Sequence, residues 1–299
     1  MSDATRFGFV ALLGAPNTGK STLLNRVVGA KVSIVTPKAQ TTRSRVLGIR
    51  MAGKTQIVFV DTPGIFQPRR RLDRAMVSAA WSGASDADLV MLLVDAHRGV
   101  DAETRAIATR LADSKRPVVL VLNKIDAAPK TKLLTLAADM NAAATYVSTF
   151  MISATTGDGV TDLIEFIAAQ LPEGHWHFPE DQLSDVNERL FAAEITREKL
   201  FFELSQELPY AAFVETEAWE ERKDGSVRIA QVIVVEKDSQ KKIVVGKGGA
   251  RVKAIGAAAR RDLEQLLERR VHLFLFVKVR AGWGEDPDSY RAFGLDFKS

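Results

Sequence analysis

The 299-residue chain contains no cysteine. That absence excludes disulfide scaffolds, thiolate nucleophiles and sulfur-based zinc centres, and a reducing cytosol accords with it. Long hydrophobic runs are missing too. The longest, Leu89 to Val94, falls far short of the ~20 residues that cross a bilayer, and Met1 to Arg6 lack the basic region and apolar core of a secretory signal. Acidic residues desert one stretch altogether. From Ala4 to Val60 there is no Asp or Glu, while Arg6, Lys20, Arg26, Lys31, Lys38, Arg43, Arg45, Arg50 and Lys54 all lie there. A second basic run, Lys237 to Arg261, carries Asp238 as its single acid. The net charge is only +4, so positive charge is concentrated rather than abundant, and two carboxylate-poor regions point to two places that handle phosphate. Hydrophobic residues at 46% and charged residues at 26% exclude both a disordered chain and a membrane bundle, and the length suits about two domains.

Phe9–Leu13, Ile57–Val60, Leu89–Val94, Val118–Leu122 and Phe150–Ile152 are continuous apolar runs, the pattern of strands covered on both faces of a parallel sheet. Arg71–Gly83, Ala102–Asp113, Lys130–Ala143 and Val160–Gln170 read as helices between them. The expected fold over residues 1–172 is therefore α/β, a doubly wound and mostly parallel sheet. Pro172, Gly174 and Pro179 punctuate a linker over 173–185. A smaller α+β module follows over 186–284: a helix from Val186 to Glu207, strands Ala212–Glu220 and Val227–Glu236 joined by Lys223-Asp224-Gly225, a basic helical stretch near Gly246, a helix Arg251–Arg269 and a strand His272–Val279. Residues 285–299 form a C-terminal tail.

Gly14-Ala15-Pro16-Asn17-Thr18-Gly19-Lys20-Ser21 matches G-x-x-x-x-G-K-[ST] between a strand and a helix. Glycines let backbone N–H groups curl around phosphate oxygens at a helix amino end, Lys20 reaches the β- and γ-phosphates, and the Ser21 hydroxyl suits magnesium. Asn123-Lys124-Ile125-Asp126 closes a later strand. The Asp126 carboxylate accepts two hydrogen bonds from guanine but would face an acceptor on adenine, which leaves a charged group desolvated and unpaired. Lys124 can cover the base plane, Asn123 can tie this loop to the phosphate loop, and Ser153-Ala154 would offer a backbone N–H to the guanine O6. Asp61-Thr62-Pro63-Gly64 ends another strand, with Asp61 placed for magnesium through water and Gly64 for the γ-phosphate. Thr42, with Thr41 next to it, is the expected source of a further metal-binding hydroxyl from a segment that the γ-phosphate would order. Ile65 stands where Ras-like proteins carry a water-orienting glutamine, so unassisted turnover is expected in the range of roughly 10⁻⁴ to 10⁻² s⁻¹.

In the second module, Gly246-Lys247-Gly248-Gly249 fits the G-x-x-G loop of a KH domain, and the element order fits the type II form. Lys241, Lys242, Lys247, Arg251 and Lys253 supply charge around glycines that let a phosphodiester chain approach, which points to about four nucleotides of single-stranded RNA. His175-Trp176-His177-Phe178 lacks the carboxylates or thiols of a metal site and reads as a linker packed on one domain. Trp81 and Trp219 read as core or rim residues, and no chemical partner is evident for Glu194 or Glu198.

Together these segments resemble the Era-like GTPases of bacterial ribosome assembly, from about Phe7 to Trp283. The resemblance implies a slow GTPase that binds GTP and GDP and takes Mg2+ on Ser21, Thr42 and Asp61. It also implies a potassium ion near Asn17. The implied partners are the single-stranded 3′ end of the small-subunit (16S) ribosomal RNA and the 30S subunit. A cytoplasmic monomer is implied, with weak peripheral association at the cytoplasmic face of the inner membrane as a further expectation. The alternative is a P-loop phosphotransferase, a nucleoside or metabolite kinase, with an adaptor tail.

Overall fold

The computed structural model describes residues 4–38, 40–204, 208–292 and 294–297. The chain divides into two compact units. One comprises Met1–Ser33, Thr42–Asp185 and Tyr290–Ser299, the other Ile34–Thr41 and Val186–Ser289.

The first unit is a six-stranded sheet in the order β2-β3-β1-β4-β5-β6. Its strands are β1 (Arg6–Leu13), β2 (Val46–Ala52), β3 (Thr55–Asp61), β4 (Leu89–Asp95), β5 (Val118–Asn123) and β6 (Ser148–Met151). All neighbouring pairs are parallel except β2 with β3. The continuous apolar runs do their expected work. β3, β5 and most of β4 are buried along their length, with helices α1 (Lys20–Val28), α2 (Arg71–Asp86), α3 (Ala102–Ala112), α4 (Lys130–Ala143) and α5 (Val160–Gln170) supplying the cover. Separate apolar clusters form on the two faces, one around Leu92, Leu120 and Met140, the other around Leu24, Phe59 and Leu163.

One strand has no counterpart among the expected runs. β2 is interrupted by Gly48 and Arg50, so it shows no continuous apolar signature. Gly48 is demanded by packing, because a Cβ there would lie 2.5 Å from Leu24 Cδ1 on α1. The linker then follows this edge: Ile49 N–H donates to the Leu183 carbonyl (2.8 Å), and Ser184 bridges to Gly48. The His175–Phe178 segment packs on the same unit as expected. The His177 ring stacks on Phe7 at 3.9 Å between centroids, and Gln56 Oε1 accepts from the backbone N–H of both His177 and Phe178 (3.0 Å each).

The second unit runs α6 (Glu188–Glu203), β7 (Ala212–Glu221), β8 (Val227–Val235), α7 (Asp238–Val245), α8 (Ala250–Leu266) and β9 (Val271–Val279), followed by the short α9 (Pro287–Ala292), whose chain crosses into the first unit at Tyr290. Its sheet is β7-β8-β9, antiparallel then parallel. α6 is shorter than the expected Val186–Glu207: Asn187 caps its start by accepting from Arg189 N–H (2.8 Å), helix ends at Glu203, and 205–207 lie outside the described residues. Ile255 and Leu263 of α8 are buried against the sheet.

The units differ from a contiguous division at two places. Residues 34–41 belong with the second unit because Ile34 is buried among Ala192, Ile195, Val227, Ile229, Leu263 and Val271. Tyr290–Ser299 belongs with the first, where the Arg71 guanidinium lies 4.5 Å from the Phe297 ring centroid.

Candidate functional site

β1 delivers the chain to Gly14 and α1 takes it away at Lys20, so the loop between them is wrapped at a helix amino end. Its backbone is unusual where the chemistry needs it. Gly14, Asn17 and Gly19 have φ of 153°, 65° and 93°. A Cβ on Gly14 would meet the Leu93 carbonyl oxygen at 2.4 Å, and one on Gly19 would meet Asn123 Nδ2 at 2.3 Å. Neither position accepts any other residue without moving backbone or a buried amide.

The Lys20 ammonium is buried and folds back onto the Gly14 and Ala15 carbonyls (3.1 Å each). Burial lowers its pKa to about 8, opposed by attraction to Asp61. Burial raises the Asp61 carboxyl, against hydrogen bonds from Ser21, Ser33 and Thr42 and the charge of Lys20. Asp61 Oδ2 accepts from Ser21 Oγ (2.6 Å) and Ser33 Oγ (3.0 Å), while Oδ1 is buried with no protein partner. Ser21 Oγ and Thr42 Oγ1 are 2.9 Å apart. A hydroxyl pair beside an orphaned carboxylate oxygen is a hard, oxygen-only donor set of the kind magnesium prefers. Thr41 turns elsewhere: its hydroxyl bonds Thr36 Oγ1 (2.6 Å) and the Lys38 carbonyl (2.9 Å). Of the two threonines, only Thr42 reaches the cluster. Gly64 is pressed on the phosphate loop, with Pro16 Cα 2.9 Å from where its Cβ would stand, and Ile65 N–H donates to the Gly14 carbonyl (3.0 Å). Thr62 and Pro63 complete the turn, the Thr62 hydroxyl donating to Leu12 O (2.7 Å).

Asn123 binds three loops into one site. Its Nδ2 donates to the Thr18 carbonyl (2.8 Å), and its Oδ1 accepts from Ala154 N–H (2.9 Å). Lys124, at φ 66°, spans from the Asn17 carbonyl (2.6 Å) to Asp95 (2.7 Å). Ile125 N–H donates to the Ile152 carbonyl, and the Asp126 side chain is exposed. Both N–H groups of Ser153-Ala154 are already engaged, Ser153 with the Asp158 carbonyl (3.0 Å) and Ala154 with Asn123, because Asn123 uses its acceptor to hold this loop. Two further participants escaped the sequence reading. Ser33 carries no local signal. Asp95 does, since it ends a parallel strand on the side where ligands bind in such sheets.

The second glycine loop is built differently. Gly246 ends α7 and Gly249 starts α8, with φ of 72°, 59° and 78° at Gly246, Gly248 and Gly249. A Cβ at Gly246 would strike Arg251 Cβ at 2.8 Å, but at Gly248 and Gly249 it would meet nothing within 4 Å. Lys241, Lys242, Lys247 and Lys253 are exposed around the loop. Arg251 is spent internally in part, donating to the Ile243 carbonyl (2.6 Å) at the end of α7.

Comparison with known proteins accords with this anatomy. A family model described as a 50S ribosome-binding GTPase matches residues 9–124, and a KH domain model matches residues 207–284. GTPase Era of Rhizobium meliloti (strain 1021) is 62% identical over 98% of this chain and 94% of its own length. GTPase Era of Agrobacterium fabrum (strain C58 / ATCC 33970) is 60% identical over 98% and 92%. Among solved structures, a variant of Aquifex aeolicus Era bound to GDP.AlF4- superposes with a TM-score of 0.92 at 38% identity, covering 97% of this chain and 99% of that one. Era in complex with MgGDPNP and nucleotides 1506–1542 of 16S ribosomal RNA gives 0.91 at 38% identity and the same coverage.

Proposed function

This chain belongs to the Era family of GTPases, and from that premise we propose that it is a GTP-driven switch that holds single-stranded small-subunit (16S) ribosomal RNA during 30S subunit assembly. The observation that carries the nucleotide half is Asn123, which clasps the phosphate loop at Thr18 and the base loop at Ala154. With both loops fixed to one side chain, the Asp126 carboxylate reads the guanine edge while Lys20 meets the β- and γ-phosphates. Ser21, Thr42 and Asp61 would hold magnesium, which would supply positive charge against that developing on the γ-phosphoryl oxygens. A kinase reading has no comparable support, since the family is one of GTPases.

Hydrolysis proceeds without a side chain to aim the attacking water. Ile65 is apolar and buried. In this reading Asn17 would help hold a potassium ion near the β- and γ-phosphates, which would supply the charge that an arginine finger supplies elsewhere. Replacing potassium by sodium is expected to lower the turnover number with GDP affinity unchanged; equal turnover in both salts removes the ion from the scheme.

The RNA half rests on the open backbone at Gly248 and Gly249 and the exposed lysines beside it. Crosslinking to total RNA with and without a non-hydrolysable GTP analogue tests the whole reading. Small-subunit RNA enriched in one nucleotide state supports it, and recovery of no RNA sinks it. We place the protein in the cytoplasm as a monomer; no helix among the described residues is long and apolar enough to cross a membrane. A weak peripheral hold on the inner membrane would draw on the same lysines, and flotation with anionic vesicles tests that contact.

A further inference from the structure

We infer that Ser33, locked in place by Asn25, is a positioning residue for GTP hydrolysis: its hydroxyl holds one oxygen of the Asp61 carboxylate and so leaves the other to face the magnesium shell. This role rests on the assignment of Asp61 to that shell made above, and every residue in it belongs to the first unit.

Asn25 lies one turn beyond Ser21 on α1, the helix that the phosphate loop feeds. That helix closes at Gly29, whose left-handed backbone (φ 79°) turns the chain and whose N–H donates to the Asn25 carbonyl (3.0 Å). The returning chain is gripped by the Asn25 side chain. Its Oδ1 accepts from the N–H groups of Val32 and Ser33 (2.9 Å each), and its Nδ2 donates to the Ser33 carbonyl (2.8 Å). One amide thus takes up both polar groups of the Ser33 backbone and makes three of the four hydrogen bonds open to it.

What this clamp aims is the Ser33 hydroxyl. Ser33 is 4% exposed, and its Oγ donates to Asp61 Oδ2 at the end of β3 (3.0 Å). Ser21 Oγ donates to the same oxygen (2.6 Å), while Oδ1 is buried with no protein partner. Two donors on one oxygen and none on the other divide the carboxylate: Oδ2 is anchored and Oδ1 remains an acceptor. Ser21 is itself assigned to the metal, so Ser33 is the anchor that stands outside the metal's own donor set. A clamp that merely closed a helix would need no hydroxyl at position 33. All three Asn25 bonds go to backbone groups, and an alanine would keep them; the serine is accounted for by Asp61.

The test compares Ser33→Ala, Asn25→Ala and their double variant in the full chain, with Asp61→Asn as reference. Four readouts are taken. They are binding of manganese, a paramagnetic stand-in for magnesium, to the GDP-loaded protein; single-turnover GTP hydrolysis across a magnesium titration; GDP affinity in the presence of a chelator; and hydrogen exchange of the amides at 32 and 33. Ser33→Ala removes one oxygen and little packing. It should weaken manganese binding and raise the magnesium concentration for half-maximal turnover, each about tenfold, with GDP affinity in chelator unchanged. Asn25→Ala should quicken exchange at both amides and shift the magnesium dependence in the same direction. Because Asn25 acts through Ser33, the double variant should need no more magnesium than Ser33→Ala. Parental manganese binding and magnesium dependence in Ser33→Ala overturn the inference. So does a double variant whose losses add, since Asn25 would then act by another route. A fall in turnover matched by an equal fall in GDP affinity in chelator marks a merely structural role and overturns it too. Where Asn25→Ala fails to fold, Ser33→Ala alone decides. If Asp61→Asn binds manganese as the parent does, the metal assignment itself fails, an outcome distinct from a failure of Ser33.

Discussion

The two glycine loops of this molecule meet phosphate by opposite designs. In the first, the glycines at 14, 19 and 64 are required by the protein itself: a Cβ at each would collide at 2.4, 2.3 and 2.9 Å with a carbonyl, a buried amide and the Pro16 backbone. The loop is closed in by its own fold, and burial of its lysine and aspartate lowers the pKa of the one and raises that of the other. At Gly248 and Gly249 the fold asks only for a left-handed backbone, since nothing lies within 4 Å of either missing Cβ. The first loop is preorganised by packing. The second is an open platform whose glycines serve an incoming chain. A buried cradle suits tight, slowly exchanged nucleotide, and an exposed one suits a strand that is gripped and released.

The largest effect expected is on base selection in the first loop's partner. Asp126→Asn should lower GTP affinity by about a hundredfold or more and favour xanthosine nucleotides, because the new amide donates to the extra carbonyl while guanine loses its acceptor. Competition binding with GTP and XTP checks it; unchanged preference for GTP would detach Asp126 from the base. Next comes the steric contrast. Gly14→Ala should destabilise the first unit by about 2–3 kcal/mol and abolish nucleotide binding, whereas Gly248→Ala should cost only about 1 kcal/mol, the penalty of a left-handed backbone without a clash. Thermal unfolding of the two variants side by side measures this, and equal losses would erase the distinction between the loops.

Gly248→Asp sharpens the comparison from the other side. It sets a carboxylate where the phosphodiester chain passes, so RNA affinity should fall at least about tenfold while GTP turnover is unchanged. Titration of a single-stranded oligoribonucleotide alongside a GTPase assay reads both. Retained RNA binding would place the groove elsewhere.

Much of this was legible in the chain because the chemistry sits at strand ends with fixed spacing. Gly14–Ser21, Asp61–Gly64 and Asn123–Asp126 each follow a continuous apolar run, so parallel pairing of those strands brings them to one end of the sheet, at the strands' carboxyl termini. The hairpin and G-x-x-G order of the second unit could be read for the same reason. What stayed hidden is what depends on distant partners. β2 has no apolar run of its own, because Gly48 makes room for Leu24 and Arg50 faces solvent. Glu194 and Glu198 have no local partner pattern that reveals a role, yet one clamps Arg197 and the other holds Val35, residues 163 positions apart in the latter case. Residues 34–41 look like an ordinary irregular stretch of the first domain until Ile34 is found in the core of the second. The donors of Ser153-Ala154 could not be judged from spacing, since their engagement depends on where Asn123 points.

The smallest effect separates charges that look equivalent in the basic run. Lys247 is exposed in the open loop, whereas Arg251 is half-buried and donates to the Ile243 carbonyl, closing the end of α7. Lys247→Ala should therefore leave thermal stability unchanged, weaken RNA binding only a few-fold, and reduce the slope of log affinity against log salt by about 0.7, the share of one phosphate on a single strand. Arg251→Ala removes a helix-end contact as well as a charge, so it should lower stability by about 1 kcal/mol in addition to weakening RNA. The pairing of a salt titration with an unfolding curve distinguishes them. If Lys247→Ala destabilised the fold, or Arg251→Ala changed the salt slope alone, the open loop would be holding itself together in the manner of the buried one, and the contrast between the two phosphate sites would lose its physical basis.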